Sequence, residues 1–184
     1  MKAPMRNGVF LRRRRLLAAC AAALLGGGAP LALPASADPS PMKIAVFDFE
    51  LDDLSGGAGI AGDNAADLEQ LDRATSEVRR LIAQSGRYSL VDVGSAKSDA
   101  VKGRLLRQCN GCEAAIALEL GADQSFVGVV RRISRTEYAV VFQIRDAHTG
   151  AIVLARQSDL RIGADYSWNR GAAALINNYL LNNP

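Results

Sequence analysis

Apolar and polar residues follow one another along the chain in patterns that predict a mixed α/β order. Residues 43–51 (KIAVFDFEL) are almost continuously apolar, as in a central strand covered on both faces. Between residues 68 and 81 the apolar side chains recur every three or four positions, which predicts an amphipathic helix ended by Gly86. Residues 88–93 (YSLVDV) read as a second short strand. This part of the chain therefore predicts a β-α-β unit with parallel strands.

The second half of the chain changes character. Residues 95–108 and 112–120 predict two helical pieces, and three strand-like runs follow them: QSFVGVVRRIS, EYAVVFQIRD and AIVLARQSDLRI. The alternation in these runs is typical of an antiparallel meander with one face in water. Gly150 closes the turn between the last two runs, at a position suited to a positive φ. Asp165 is expected to cap a last helix that carries Trp168 on its apolar stripe as a core residue.

These elements predict one α/β domain. We expect a mixed sheet of about five strands, with a parallel β-α-β start and an antiparallel C-terminal meander, covered by helices.

The first 37 residues have the composition of an export signal. Basic residues, including Arg12–Arg15, precede an apolar stretch at 16–33, and Ala35–Ala37 forms a small-x-small cleavage site. The sequence predicts a cleaved signal peptide (1–37), a short linker (38–42) and a single domain (43–184) in the periplasm, with no membrane span after cleavage. The arginine run leaves open whether export is of the general or the twin-arginine type. Lipid anchoring at Cys20 is the secondary alternative, because almost no apolar segment precedes that cysteine.

Removing this leader changes the electrostatics. The leader holds six of the 22 basic residues and none of the 19 acidic ones, so the remaining 147 residues carry a formal charge of about −3. The basic character of the whole chain is therefore no argument for nucleic acid as a partner. Arg131, Arg132 and Arg135 form one dense basic spot, which we interpret as a solvated strand face.

The segment between the first strand and the first helix is rich in glycine. Its glycines are Gly56, Gly57, Gly59 and Gly62. The last three spell the G-x-G-x-x-G of dinucleotide-binding folds, but Asp52–Ser55 separate the strand from the first glycine, and Asp63 adds negative charge where an anionic ligand would bind. We therefore expect a loop beside the helix, able to touch a protein partner, and no bound cofactor.

Cys109 and Cys112 form a C-x-x-C motif, and an exported protein is expected to hold such a pair oxidised. Glu113 stands where haem attachment would need histidine, and the chain has a single histidine, so no haem or zinc site is expected. A structural disulfide is the favoured interpretation. A redox-active pair and a metal-binding pair remain alternatives.

No catalytic constellation is apparent in the sequence. The only histidine, His148, falls in a turn and is expected to be solvated. The acidic run Asp48–Asp53 lacks calcium-loop spacing and is interpreted as a solvated strand end. We expect no enzyme activity, no catalytic residues and no metal.

Five segments follow one another in a recognisable order: KIAVFDFEL, RYSLVD, CNGCEAAIALELGADQSFVGVVRRIS, VFQIRDAHTGAIV and DYSWNRG. With them the chain resembles an uncharacterised family of small secreted proteobacterial proteins. It is distantly similar to the amino-terminal domain of TolB and to envelope domains of curli-secretion and flagellar-assembly lipoproteins. The resemblance implies a mixed-sheet domain that serves assembly or protein contact.

The leading hypothesis is therefore a non-enzymatic interaction or accessory domain, with an envelope or periplasmic protein as its partner. The alternative is an accessory of a periplasmic oxidoreductase system that binds a small molecule or uses Cys109 and Cys112 as a redox dithiol. A thiol–disulfide enzyme is a third hypothesis.

Overall fold

A mixed sheet of six strands organises the fold. The computed structural model describes residues 40–56, 65–134, 136–161 and 168–182. The strands are β1 (Met42–Val46), β2 (Glu50–Asp53), β3 (Tyr88–Val91), β4 (Gln124–Arg132), β5 (Glu137–Asp146) and β6 (Ile152–Arg161). Their order is β3-β1-β4-β5-β6, and β2 extends the sheet by pairing with β4.

In the part of the chain that the structure describes, four helices accompany the sheet. They are α1 (Ala65–Gln84), α2 (Asp99–Lys102), α3 (Cys112–Glu119) and α4 (Trp168–Ile176). A 3₁₀ turn (Leu106–Gln108) precedes α3, and a π-helical turn (Asn177–Leu181) continues α4. Strands β1, β2 and β3 run parallel to their neighbours, whereas β4, β5 and β6 pair antiparallel. The predicted fold class, a single α/β domain with a mixed sheet, is confirmed.

The long first strand predicted by the sequence is interrupted by one extra residue. Val46 pairs with Phe126 and Glu50 with Val129, so four steps along the first strand match three steps along β4. A bulge of this kind inverts the alternation of side chains between the two faces of a sheet. Phe47 and Phe49 consequently enter different cores, although residues two positions apart on a regular strand face the same side.

The two faces of the sheet carry different cores. On one face, α1 and α4 cover large side chains, among them Phe49, Phe126, Phe142 and Trp168. On the other face, α3 and the 3₁₀ turn cover a smaller cluster made mostly of small residues: Ala45, Phe47, Leu106, Ala117, Ala122, Val127 and Ala147.

Gly128 shows how tightly the larger core is packed. The ring of Phe49 lies directly over this glycine, and a Cβ atom at position 128 would fall inside van der Waals contact with the ring. Glycine in the middle of a strand often marks such a close approach.

Several boundaries differ from those predicted. The helical region expected at 95–108 contains only α2 and the 3₁₀ turn. On α1 the buried stripe runs through Ile82, while Leu68 at its start is 38% exposed. Ile152, an apolar residue of the alternating run that predicted β6, is exposed beside a register shift between β5 and β6. The predicted cap Asp165 lies outside the described residues.

Candidate functional site

The acidic residues at the end of the first strand are held in ion pairs. The interpretation of this run as a solvated strand end is wrong for Glu50, which is fully buried, and each carboxylate of the run meets an arginine from a distant part of the chain. The pairs are Asp48–Arg79, Asp48–Arg104, Glu50–Arg107, Asp52–Arg131 and Asp53–Arg132. The interpretation of a solvated face is wrong for Arg132, whose side chain is mostly buried in its ion pairs, whereas the paired side chain of Arg131 remains 38% exposed. Arg135 lies outside the described residues.

Glu50 is the most deeply buried of these carboxylates, with no solvent exposure. It accepts hydrogen bonds from the backbone N–H groups of Leu106 (2.6 Å) and Arg107 (3.1 Å) and from the Arg107 guanidinium (3.0 Å). A buried charge is tolerated only when it is paired and fully hydrogen-bonded, as here. Glu50 therefore fixes the 3₁₀ turn to β2.

Arg132 joins the two ends of the glycine-rich segment. Its guanidinium donates to Asp53 (2.9 Å), at the end of β2, and to Asp67 (2.6 Å), in the first turn of α1. Burial lowers the pKa of Arg132, but hydrogen bonds with Asp67, Tyr138 and Asp53 outweigh this and raise it above its ordinary value. Burial raises the pKa of Asp53, yet hydrogen bonds from Ser55 and Arg132 bring it below the ordinary value.

An exposed apolar residue directly follows each of Asp53, Asp67 and Arg132. Leu54 is 60% exposed, Ile133 41% and Leu68 38%. The Leu54 N–H donates to the carbonyl of Arg132 (2.8 Å), which places Leu54 beside Ile133. We call Leu54, Leu68 and Ile133 the apolar rim. The sequence interpretation missed this rim, because nothing local indicates that the three residues preceding these side chains are joined by ion pairs.

The predicted partner loop attaches at this rim. Gly56 is exposed and has open space around it. Gly57, Gly59 and Gly62 lie outside the described residues.

The cysteine pair lies on the opposite face of the sheet, beneath α3. The Sγ atoms of Cys109 and Cys112 are at disulfide bonding distance, and Cys112 is the first residue of α3. Asn110 and Gly111 both have positive φ, +49° and +114°, which lets the chain turn within two residues. The residue after Cys112, Glu113, is buried.

The Glu113 carboxylate receives hydrogen bonds from Arg145 (2.7 Å) and Gln143 (3.3 Å) on β5. Cys109, Cys112 and Glu113 are also close enough together to hold a metal ion. While the sulfurs are joined to each other they offer no thiolate ligand, so metal binding at this cluster would require reduction.

A cleft of about 540 Å³ opens at the carboxyl ends of β1 and β3. In open α/β sheets ligands bind at such an edge, where the connections leave toward opposite faces. The polar groups of this cleft are engaged with one another: Arg79 donates to the Val46 carbonyl and to Asp48, and Asp92 accepts from the Gly94 N–H. Among the described residues that line the cleft there is no serine, cysteine or histidine, and so no nucleophile beside a base.

The remaining predicted residues occupy structural positions. Gly150 has φ +71° in the turn before β6. Trp168 is fully buried at the start of α4. The His148 ring lies in the exposed turn, 3.9 Å from Asp123. Asp146 accepts hydrogen bonds from Thr149 and His148 in the same turn, and these bonds hold its pKa below the ordinary value.

Comparison with known proteins gives a family but no function. Residues 42–180 match the sequence model DUF3280, described as "Protein of unknown function (DUF2380)". No curated protein matches the chain. Within the described residues, no helix combines the length and apolar character needed to cross a membrane.

Three solved structures illustrate the fold likeness. The C-terminal domain of LpoB from Salmonella enterica is 17% identical, with 69% of this chain and 87% of that one covered and a TM-score of 0.46. TolB from Acinetobacter baumannii is 16% identical, with 80% and 30% covered and a TM-score of 0.45. Lipoprotein GNA1162 from Neisseria meningitidis is 10% identical, with 75% and 97% covered and a TM-score of 0.47. At these scores the likenesses carry no information about function.

Proposed function

The chain belongs to this family of proteins of unknown function, and we propose that it is an accessory domain of the cell envelope, exported to the periplasm, that acts by contact with a partner protein. The observation that carries the proposal is the apolar rim. Leu54, Leu68 and Ile133 are exposed large apolar side chains, and each directly follows one of the residues joined by ion pairs, Asp53, Asp67 and Arg132. Exposed apolar side chains gathered in this way are typical of protein-contact surfaces.

The surroundings of the rim suit such a contact. Asp53, Arg132 and Asp67 are tied to one another, so the three backbone segments that carry the rim are fixed before any partner arrives. A contact surface that is already ordered loses less conformational entropy on binding. Apolar contacts surrounded by paired charges also follow the usual arrangement of an apolar centre and a polar border in protein interfaces.

The export signal supports the location. A basic segment, an apolar stretch and a small-x-small site precede the domain, as in proteins delivered to the periplasm. The proposed partner is therefore a protein of the periplasm or of a membrane that faces it.

Site-specific photo-cross-linking in living cells tests this function. A photoreactive amino acid at Leu54 should give a cross-linked species of defined mass, larger than the chain itself. The same amino acid at Leu118 serves as the matched control, because Leu118 is similarly exposed (41%) but lies on α3. Equal cross-linking from both positions, or none from Leu54, would contradict the proposal.

A charge in the rim gives a second test of the same function. Leu54→Asp should remove the species cross-linked through Ile133, because it places a charge inside the contact, while the fold is retained at this exposed position. Leu118→Asp should leave that species unchanged. Retention of the cross-link in Leu54→Asp would show that the rim is not the contact surface.

A further inference from the structure

The cysteine turn is held on both sides by buried carboxylates. On one side Glu50, fully buried, binds the N–H groups of Leu106 and Arg107. On the other side Glu113, whose side chain is 5% exposed, is paired with Arg145. Both carboxylates thus fix the segment that contains the disulfide, and both have an arginine partner.

Glu50 and Glu113 differ in the hydrogen-bond donors that reach their two carboxylate oxygens. The oxygens of Glu50 share three N–H donors. In Glu113, Arg145 and Gln143 both donate to Oε1, while the neighbour of Oε2 is the Cys109 sulfur at 3.9 Å. A disulfide sulfur carries no proton, so within the described residues no donor reaches Oε2 in the oxidised protein.

A second acceptor lies against the same sulfur. The Leu106 carbonyl oxygen is 3.1 Å from Cys109 Sγ. A thiol at position 109 would have an acceptor on either side, whereas the disulfide sulfur has no proton to offer. The Leu106 carbonyl already accepts from the Cys109 N–H (3.2 Å), so among the described residues Glu113 Oε2 is the acceptor that the disulfide leaves without a donor. A buried acceptor that lacks a donor destabilises the state in which it occurs. The surroundings of Cys109 therefore favour the reduced, protonated thiol over the disulfide.

Cys112 has a different environment. It begins the eight-residue helix α3, so its side chain lies at the end of the helix where free N–H groups and the helix dipole stabilise negative charge. Both cysteines are half-buried, so the difference between them lies in the groups that face each sulfur. A thiolate at Cys112 is thus stabilised, whereas a thiolate at Cys109 would face the Glu113 carboxylate and the Leu106 carbonyl oxygen.

From this asymmetry we propose that Cys109 and Cys112 form an exchange-competent dithiol/disulfide pair, in which Cys112 reacts with an external dithiol and Cys109 receives the proton. This inference goes beyond the proposed contact function and does not depend on it. It also departs from the structural disulfide that the sequence favoured.

The thiol–disulfide exchange with the external dithiol takes place in two steps. A thiolate of the external dithiol attacks Cys112 Sγ, the Cys109–Cys112 bond breaks, and Cys109 leaves and takes up the proton released by the attacking thiol. The second thiol of the external molecule loses its proton and attacks the external sulfur of the mixed disulfide, which releases Cys112 as thiolate. Two electrons pass to the protein cysteines, and the external dithiol becomes a disulfide.

The redox equilibrium tests the proposal. The full chain carrying Cys20→Ser, so that two cysteines remain, is equilibrated in glutathione buffers of increasing reduced-to-oxidised ratio, and the thiols are trapped and counted by mass. We expect both forms to be populated within this range. A pair that stays oxidised throughout would be a structural disulfide, since such bonds resist reduction by glutathione, and the proposal would fall.

Two matched variants test the role of Glu113. Glu113→Gln removes the negative charge beside Cys109 and should lower the equilibrium constant for reduction about tenfold. Glu50→Gln changes an equally buried, arginine-paired carboxylate that does not face the sulfur, and should change that constant less than about twofold. Equal shifts in both variants would overturn the role of Glu113.

Single-cysteine variants test which sulfur reacts, and they do not depend on how well Glu113→Gln folds. With Cys109→Ser, oxidised glutathione should form a mixed disulfide rapidly at Cys112. With Cys112→Ser, the remaining Cys109 should react at least about tenfold more slowly. Equal rates, or the reverse order, would overturn the assignment of Cys112 as the reactive sulfur.

Discussion

The two faces of the sheet are stabilised in different ways. The face under α1 and α4 is filled by large aromatic and aliphatic side chains, with the Phe126 and Phe142 rings stacked 5.4 Å apart and Phe49 tilted against Phe126 at 6.2 Å. The face under α3 is lined mainly by alanines and holds two buried carboxylates and the cysteine pair. The first face depends on close packing and the second on specific polar contacts.

Most of the stabilising apolar burial therefore lies on the first face, and the reactive groups lie on the second. A close-packed apolar face buries the most surface and offers nothing for a reaction. A face of small residues has room for polar groups, and each buried polar group must find a partner. The reactive pair that we infer, Cys109 and Cys112, lies on the second face, where one carboxylate oxygen lacks a donor within the described residues.

The largest expected effect is the loss of an aromatic ring from the first face. Phe126→Ala should lower the free energy of unfolding by about 3–5 kcal/mol, because it removes a fully buried ring between two others. Val127→Ala, the next residue on β4 and directed to the α3 face, should cost less than about 2 kcal/mol. Denaturant unfolding measures both losses, provided that the free energy of unfolding depends on denaturant concentration with the same slope in both variants. Equal losses would show that the two faces are packed alike.

A smaller effect is expected from overpacking the first face. Gly128→Ala should destabilise the protein by about 1–3 kcal/mol, since the new methyl group meets the Phe49 ring. Adding Phe49→Leu to Gly128→Ala should recover part of this loss. A double-mutant cycle measures the coupling energy between the two positions. Strictly additive effects would mean that the ring moves aside without cost.

The smallest effect concerns the charged group at the rim. The pKa of Asp53 is lowered in the folded state from an ordinary value of 3.8, so its contribution to stability is complete above that pH and is lost as the pH falls through the folded pKa. Asp53→Asn should cost less than about 1 kcal/mol at neutral pH and should flatten the loss of stability in acid.

Glu69→Gln, at an exposed ion pair on α1, is the control for this experiment. Unfolding measured from pH 6 to pH 2 should show the flatter profile in Asp53→Asn alone. An unchanged acid profile in Asp53→Asn would contradict the role assigned to its hydrogen bonds with Ser55 and Arg132.

The ordinary periodicities predicted most of the elements. Continuous apolar runs, helical spacing and strand alternation identified β1, α1 and the β4–β6 meander, because each of these signals lies within a few neighbouring residues. Errors arose where a bulge or a register shift changes which side chains of a strand face the core. The extra residue between Val46 and Glu50 directs Glu50 into the α3 face, and the register shift near Ile144 leaves Ile152 in solvent.

The candidate sites were harder to predict, since they are assembled from distant residues. Asp53 and Asp67 meet through Arg132, more than sixty residues further along the chain. Glu50 and the turn that it holds are 56 residues apart. The acidic and basic residues were visible in the sequence, but their pairing was not, because charge has no periodicity that indicates a partner in another element.

The sequence by itself determined the order of elements, the mixed sheet and the C-x-x-C motif, since these follow from backbone propensity, apolar spacing and residue identity. The tertiary structure alone decided which carboxylates are buried, which arginine each one meets, and that a Glu113 oxygen faces Cys109. The physical reason is that these contacts depend on the register between strands, and a single inserted residue inverts which side chains face each core.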